Sequence, residues 1–371
     1  MATKRKAGQV LTANEFKKRY GSGYASTICL PADKTLWLPS RIPALNYHLG
    51  GGLQYGKILE EFGEESTGKS LLALDFAAVC QSLGGLVLWA DAEGTFGAHW
   101  AEKNGLDLSR TLLLPEENSV EVISDWLADA VITARAELTH NEPILLVIDS
   151  IASLDTLENI ENSQVDSKAE MGKRASEIDK LLRRRNGLLN KYGVCTICIN
   201  QLRQKVGATK WEDPDVTPGG RAMRFYASQR IGLYRSKTIK SSKDKSVGQY
   251  VYIRTKKNKL APPSERIRLE VYFQEYKNQL GYAKYAYLPE ILEELGILER
   301  RRARWYYQEK MVANGDDAML QVLKTNPELR QELLKKSGIN TASKMRKRLQ
   351  NTPNNLYPLK IKTQSKDAPE E

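Results

Sequence analysis

Four apolar runs lie between residues 42 and 270, and stretches of helical periodicity separate them. The first, Lys57-Ile58-Leu59-Glu60-Glu61-Phe62, leads into a glycine-rich turn and then a helix through Cys80. The others are Leu86-Val87-Leu88-Trp89-Ala90, Ile144-Leu145-Leu146-Val147-Ile148 and Val194 to Ile199. Short runs without a polar face, alternating with helical segments, are the mark of parallel strands covered on both sides. The pattern predicts an α/β core over 41–270. Beyond it the text breaks into short helical pieces, Pro289 to Leu295 ended by Gly296 and a longer stretch from Asp316 to Lys336. These predict a small α+β C-terminal domain over 271–340. Residues 1–40 read as a short, basic, partly helical segment whose first cap lies in Thr12-Ala13-Asn14-Glu15-Phe16. Residues 341–371 read as a basic, mostly disordered tail.

Length and composition narrow the picture. The 371 residues suit two domains plus tails, and 41% hydrophobic with 27% charged residues is ordinary for a globular protein. No apolar run approaches the roughly 18 residues of a membrane span, and the first thirty residues carry no signal-peptide core. With 4 cysteines there is no disulfide framework, so a cytoplasmic location is expected, with no membrane partner. Cys195 and Cys198 mimic a C-x-x-C but fall inside an apolar strand, where positions i and i+3 face opposite sides and cannot share a metal.

Charge changes the picture more. The net formal charge is +11 and it is clustered. Arg235 to Leu260 holds nine Lys/Arg and one acid, Thr341 to Glu371 seven and three, and Met1 to Lys6 three cations. Any one cluster is read equally well as a solvated face. Three on one chain point to a polyanion.

Gly63-Glu64-Glu65-Ser66-Thr67-Gly68-Lys69-Ser70 is a G-x-x-x-x-G-K-S between a predicted strand and helix, the context that makes it a phosphate loop. Its glycines allow a nest of N–H groups at a helix N-terminus, with Lys69 reaching the β/γ-phosphates and Ser70 a Mg²⁺ ion. ATP and Mg²⁺ are therefore expected. Asp149, ending its apolar run, sits where a second Mg²⁺-holding residue belongs, or else caps the turn that follows. Glu93, just past the Leu86–Ala90 strand, is the general-base candidate, with Asp91 the competitor.

In this order the motifs resemble one family, the bacterial RecA-type homologous recombinases. The likeness rests on residues 63–70, Asp91-Ala92-Glu93 and Ile148-Asp149-Ser150-Ile151-Ala152. It continues with Ile199-Asn200-Gln201-Leu202-Arg203, Pro218-Gly219-Gly220, Phe225-Tyr226-Ala227-Ser228 and Lys257-Asn258-Lys259. It is strong over about 40–270 and looser beyond.

The resemblance implies a RecA-like phosphate-loop ATPase core, DNA-stimulated ATP hydrolysis, and a helical self-filament on single-stranded DNA. It implies pairing and strand exchange with homologous duplex DNA, in recombination, repair and the SOS response to DNA damage. Single-strand-binding and loading proteins are the implied accessory partners, and residues 1–40 an oligomerisation segment. Glu93 matches the catalytic glutamate, Gln201 the γ-phosphate sensor, and Trp100 the aromatic position against adenine. Lys257 and Lys259 match lysines that reach a neighbour's ATP, and Arg224, Phe225 and Arg230 match interface positions. Segment 157–174, with Met171, Gly172 and Arg174, resembles the first DNA loop. Segment 203–220, with Arg203, Lys205, Lys210, Trp211, Gly219 and Gly220, resembles the second, where cations flank an aromatic ring. Arg183 matches a DNA contact, although Arg183-Arg184-Arg185 also reads as a solvated helix face.

There are departures. The second loop is one residue longer, with Trp211 near the usual phenylalanine. Ser176 replaces an arginine, the tail is basic where relatives are often acidic, and the Tyr-rich 272–288 lacks the usual glycine-containing turn. Two alternatives share the same core: a hexameric helicase motor, and an ATP-gated filament that coats DNA and recruits partners.

Overall fold

Strands that bury both faces can only sit in the middle of a sheet, and the four apolar runs do so. In the computed structural model, residues 35–138, 141–162, 168–204, 215–219, 221–262, 266–276 and 278–352 are described. Two short strands, β1 (Trp37–Leu38) and β2 (Leu53–Gln54), pair with each other. The runs become β3 (Ile58–Gly63), β4 (Leu86–Asp91), β6 (Ile144–Asp149) and β7 (Val194–Gln201), with β5 (Thr111–Leu114) at the edge. The ends of segment 203–220 are tied by β8 (Arg203–Gln204) and β9 (Asp215–Val216). Then come β10 (Gln229–Lys240), β11 (Ser246–Asn258), β12 (Ile267–Tyr276) and β13 (Gln279–Tyr282), and finally β14 (Glu299–Arg301), β15 (Arg304–Tyr307) and β16 (Lys310–Asn314).

The main sheet has nine strands in the order β13-β12-β11-β10-β3-β7-β6-β4-β5. It is parallel from β10 to β5 and antiparallel from β10 to β13. Helix Lys69–Ser82 covers one face, and helices Val120–Glu137 and Lys168–Lys191 cover the other. The cysteine reading holds. Cys195 joins the core of the first face and Cys198 that of the second, both fully buried.

The structure corrects three boundaries. The sheet does not stop at residue 270: Val271, Tyr272 and Tyr282 pack in the same cluster as the Lys69–Ser82 helix, so the core continues to Tyr282. Asn278, just before β13, takes φ 56°, a left-handed position that asparagine tolerates. A second, smaller core gathers Leu288, Trp305, Met319 and Leu333 from the β14–β16 sheet and the helices around it, and Ala44 of helix Pro43–Leu49 packs into it from the N-terminal side. The expected tail begins as a helix, Ala342–Asn351, which buries Met345 in the main core. Arg346 donates to the Ser82 carbonyl at 2.7 Å, capping an orphan acceptor at the end of the Lys69–Ser82 helix. Residues 1–34 and 353–371 lie outside the described residues. No described helix is long and apolar enough to cross a membrane.

Candidate nucleotide site and DNA-facing segments

The loop 64–68 leaves the central strand β3 and enters the helix at Lys69. Two glycines are forced by close approach. A Cβ at Gly63 would meet the Leu233 carbonyl at 2.4 Å, and one at Gly68, which takes φ 93°, would meet the Tyr282 hydroxyl at 2.9 Å. Buried Thr67 donates to the Glu64 carbonyl at 2.9 Å and braces the turn. The Lys69 ammonium donates to the carbonyls of Gly63 (3.1 Å) and Glu64 (2.8 Å). Burial pulls its pKa down, and the carboxylates of Asp149 and Glu93 oppose that shift.

A cleft of about 580 Å³ opens at the carboxyl ends of the parallel strands, as expected for an open α/β sheet. It brings together Glu65, Ser66, Gly68, Lys69, Ser70, Glu93, Trp100, Asp149 and Gln201. Gly63 and Glu64 line the adjoining opening with Gln201. Asp149 is buried, accepts a hydrogen bond from Ser70, and is pushed up to about 6 by burial. A hydroxyl beside a carboxylate, with room for phosphate oxygens, is a donor set that fits Mg²⁺.

The two acidic candidates separate cleanly. Asp91 accepts the backbone N–H groups of Thr95 (3.2 Å) and Phe96 (2.8 Å), so its carboxylate shapes the turn after β4. Glu93 is exposed to the cleft, where its Oε1 accepts from Ser150 (2.5 Å), Ser153 (3.3 Å) and Gln201 Nε2 (3.4 Å). The serines went unnoticed in the sequence, although Ser150 stands inside a quoted motif. Phe273, 43% exposed and lining the same cleft as Trp100, was also missed. It reaches the cleft only through the hairpin β12–β13, which no local signal announces.

Lys257 and Lys259 do not reach this cleft. Lys257 pairs in register with Arg230, three strand positions or roughly 10 Å from the Leu233–Gly63 level of the phosphate loop. Its ammonium donates to the carbonyls of Arg224 (2.5 Å) and Phe225 (3.3 Å), and burial with the nearby cations of Lys259 and Arg230 lowers its pKa. The Phe225 ring is 72% exposed beside it. Arg230, matched above to an interface position, is 9% exposed and ion-paired with Glu60, because β10 places it directly opposite that carboxylate.

The first DNA segment also differs from expectation. Instead of a loop over 157–174, the chain forms helices Leu157–Asn162 and Lys168–Lys191. Met171, Gly172 and Arg174 lie in the opening turns of the second, an amphipathic helix anchored by Ile178, Leu181, Leu182 and Leu189. Arg183 and Arg184 face solvent, whereas Arg185 bonds Ser124 and Asp125, both at 2.9 Å. In the second segment, Arg203 is exposed in β8 and Gly219 takes φ 86°. Lys205, Lys210, Trp211 and Gly220 lie outside the described residues.

A phosphate loop between the carboxyl end of a central strand and a helix, in a mixed sheet, defines a P-loop protein of the α/β class. The family profile of the RecA N-terminal domain matches residues 11–277. The chain is 34% identical to Protein RecA of Cytophaga hutchinsonii over 87% of both chains. It is 31% identical to that of Halalkalibacterium halodurans (89% of this chain, 90% of the relative) and 30% to that of Aquifex aeolicus (90% and 92%). The chain belongs to the RecA family. Membership places it among the ATP- and DNA-binding proteins of recombination and repair.

Proposed function

We propose that this chain is a DNA-dependent ATPase that forms a helical filament on single-stranded DNA, pairs that strand with homologous duplex DNA, and exchanges strands. The observation that carries the reading is a single cleft holding Lys69, Ser70, Asp149, Glu93 and Gln201 at the carboxyl edge of the sheet. Lys69 faces the β/γ-phosphates, and the loop N–H groups cradle them. Bound Mg²⁺, held by Ser70 and Asp149, would neutralise phosphate charge. Glu93, oriented by Ser150 and Ser153, positions the attacking water and takes its proton. Gln201, whose amide lies beside Glu93, reads the γ-phosphate, and Trp100 stacks on the base.

Lys257 and Lys259 complete the site of a neighbouring subunit, and this reading explains why they stand away from their own cleft. Arg224 and Phe225 belong to the same junction. Arg203, Lys205, Lys210, Trp211, Gly219 and Gly220 carry DNA contacts with Arg183, Arg174, Met171 and Gly172. Residues 1–40 serve assembly, 41–282 the ATPase and DNA work, and the small domain with the basic tail meets duplex DNA. The setting is cytoplasmic, within the SOS response, alongside single-strand-binding and loading proteins.

The test is ATP turnover with and without single-stranded DNA, followed in the same mixture by joint-molecule formation with homologous duplex. Stimulation with homology-dependent joints is expected. Unwinding without joints would indicate a helicase motor, and ATP binding with neither activity a coating and recruiting filament.

A further inference from the structure

Apart from the nucleotide cleft, where the β12–β13 hairpin meets the end of helix Ala98–Lys103, lies a hollow of about 250 Å³. Four cations line it, each from a different part of the chain. Arg41 precedes helix Pro43–Leu49, Lys103 ends helix Ala98–Lys103, Lys284 follows β13, and Lys324 lies in the last turn of helix Asp316–Thr325. No carboxylate lines the hollow among the described residues.

The walls are fixed from behind. Arg41 donates its Nε (2.6 Å) and its backbone N–H (2.8 Å) to the two oxygens of buried Asp75 on helix Lys69–Ser82. The guanidinium is thereby oriented, and its two Nη groups have no acceptor among the described residues. Buried Asn104 donates to the Trp100 carbonyl at 2.9 Å, and buried Tyr282 to the Gly68 carbonyl at 3.1 Å. Asp75 balances one of the four charges, while Lys103, Lys284 and Lys324 have no ion pair among the described residues. A lysine in the last turn of a helix is favourable without any ligand, which accounts for Lys103 and Lys324 taken singly. It does not account for Lys284, nor for four like charges drawn around one concavity, where each repels the others.

We propose that this hollow binds a small polyphosphate anion, of the size of pyrophosphate, at a site separate from the nucleotide cleft. Its volume has room for about eight water-sized groups, close to the bulk of two linked phosphates. Phosphate oxygens accept from the planar Arg41 fork and from the lysine ammonium groups, and such charge-assisted bonds are the strong class. A concave pocket with cations on several sides suits a compact free anion. A nucleic-acid backbone is instead met by cations strung along an open groove.

The experiment uses the full chain in magnesium-free buffer, with the cleft filled by saturating ADP, and titrates inorganic pyrophosphate calorimetrically. One pyrophosphate should bind per chain. Lys103, Lys284 and Lys324 are exposed, so Lys103→Ala, Lys284→Ala and Lys324→Ala each remove one charged contact without touching the core. Each should weaken pyrophosphate binding about tenfold. Lys191→Ala, the same loss of charge at the exposed end of helix Lys168–Lys191, should change it by less than about twofold. No pyrophosphate uptake with ADP bound overturns the site. So does an equal weakening in Lys191→Ala, the mark of diffuse attraction to a basic protein. Unchanged uptake in the three pocket variants, with weakened binding of a short duplex, would give these lysines to a DNA backbone and overturn the site as well.

Discussion

At the scale of single residues, the carboxylates sort by what surrounds them. Asp91 is occupied by backbone N–H groups, and Glu93 is free to face the cleft with hydroxyls behind it. Glu93→Gln is therefore expected to lower ATP turnover about 10²- to 10⁴-fold, the span of general-base catalysis, with nucleotide affinity little changed. Steady-state hydrolysis beside equilibrium nucleotide binding checks this. Equal loss of turnover in Asp91→Asn with Glu93→Gln active would reverse the assignment.

Glu61 poses a different problem. It is fully buried beneath the phosphate loop, and neither carboxylate oxygen has a hydrogen-bond partner among the described residues. Burial drives its pKa up, with the charge of Asp149 adding to the shift and Lys69 opposing it. The folded state thus keeps a proton that the unfolded chain loses above pH of about 4.3, so stability falls as pH rises through that window. Glu61→Gln should remove this slope. The melting-temperature advantage of the variant should grow from pH 5 to pH 8, and a constant difference would show an ordinary carboxyl.

At the scale of elements, the helix Ala342–Asn351 separates core from tail. Met345 is 4% exposed in the main core and Arg346 caps the Lys69–Ser82 helix. A truncation after Thr352 should leave melting temperature unchanged and mainly alter duplex binding. One that also removes 342–352 takes away Met345, exposes its packing partners and should cost about 2–5 kcal/mol, the range for losing a buried large side chain. Thermal melts of the two truncations distinguish these outcomes. The first DNA segment reads as a loop for a local reason. Residues 157–174 are polar and carry Gly172, but Ile178, Leu181, Leu182 and Leu189 further along fix one helix face, and the helix extends back through the polar turns.

At the scale of the whole molecule, the proposed active site is divided between subunits, since Lys69 and Lys257 of one chain stand in different places. In a head-to-tail assembly each junction takes one patch from each neighbour. Lys69→Ala and Lys257→Ala should each abolish DNA-stimulated hydrolysis alone. A 1:1 mixture should regain about a quarter of parental activity, because about a quarter of random junctions carry both lysines. No recovery in co-assembled filaments would place both lysines in one site.

Much of this was legible from local text. The four apolar runs became adjacent strands β3, β7, β6 and β4, and the phosphate loop fell between strand and helix, because burial on both faces and the needs of a phosphate nest each demand short, contiguous residue patterns. What depended on strand order could not be read in the same way. The sheet's continuation to Tyr282, Phe273 at the cleft, the burial of Arg230 against Glu60, and the docking of Met345 all arise from pairings between residues far apart in the chain. Residue type and spacing determine which segments become strands and which loop holds phosphate. Which distant side chains then meet, and so which cations are spent inside and which remain for a partner, is decided only when the sheet closes.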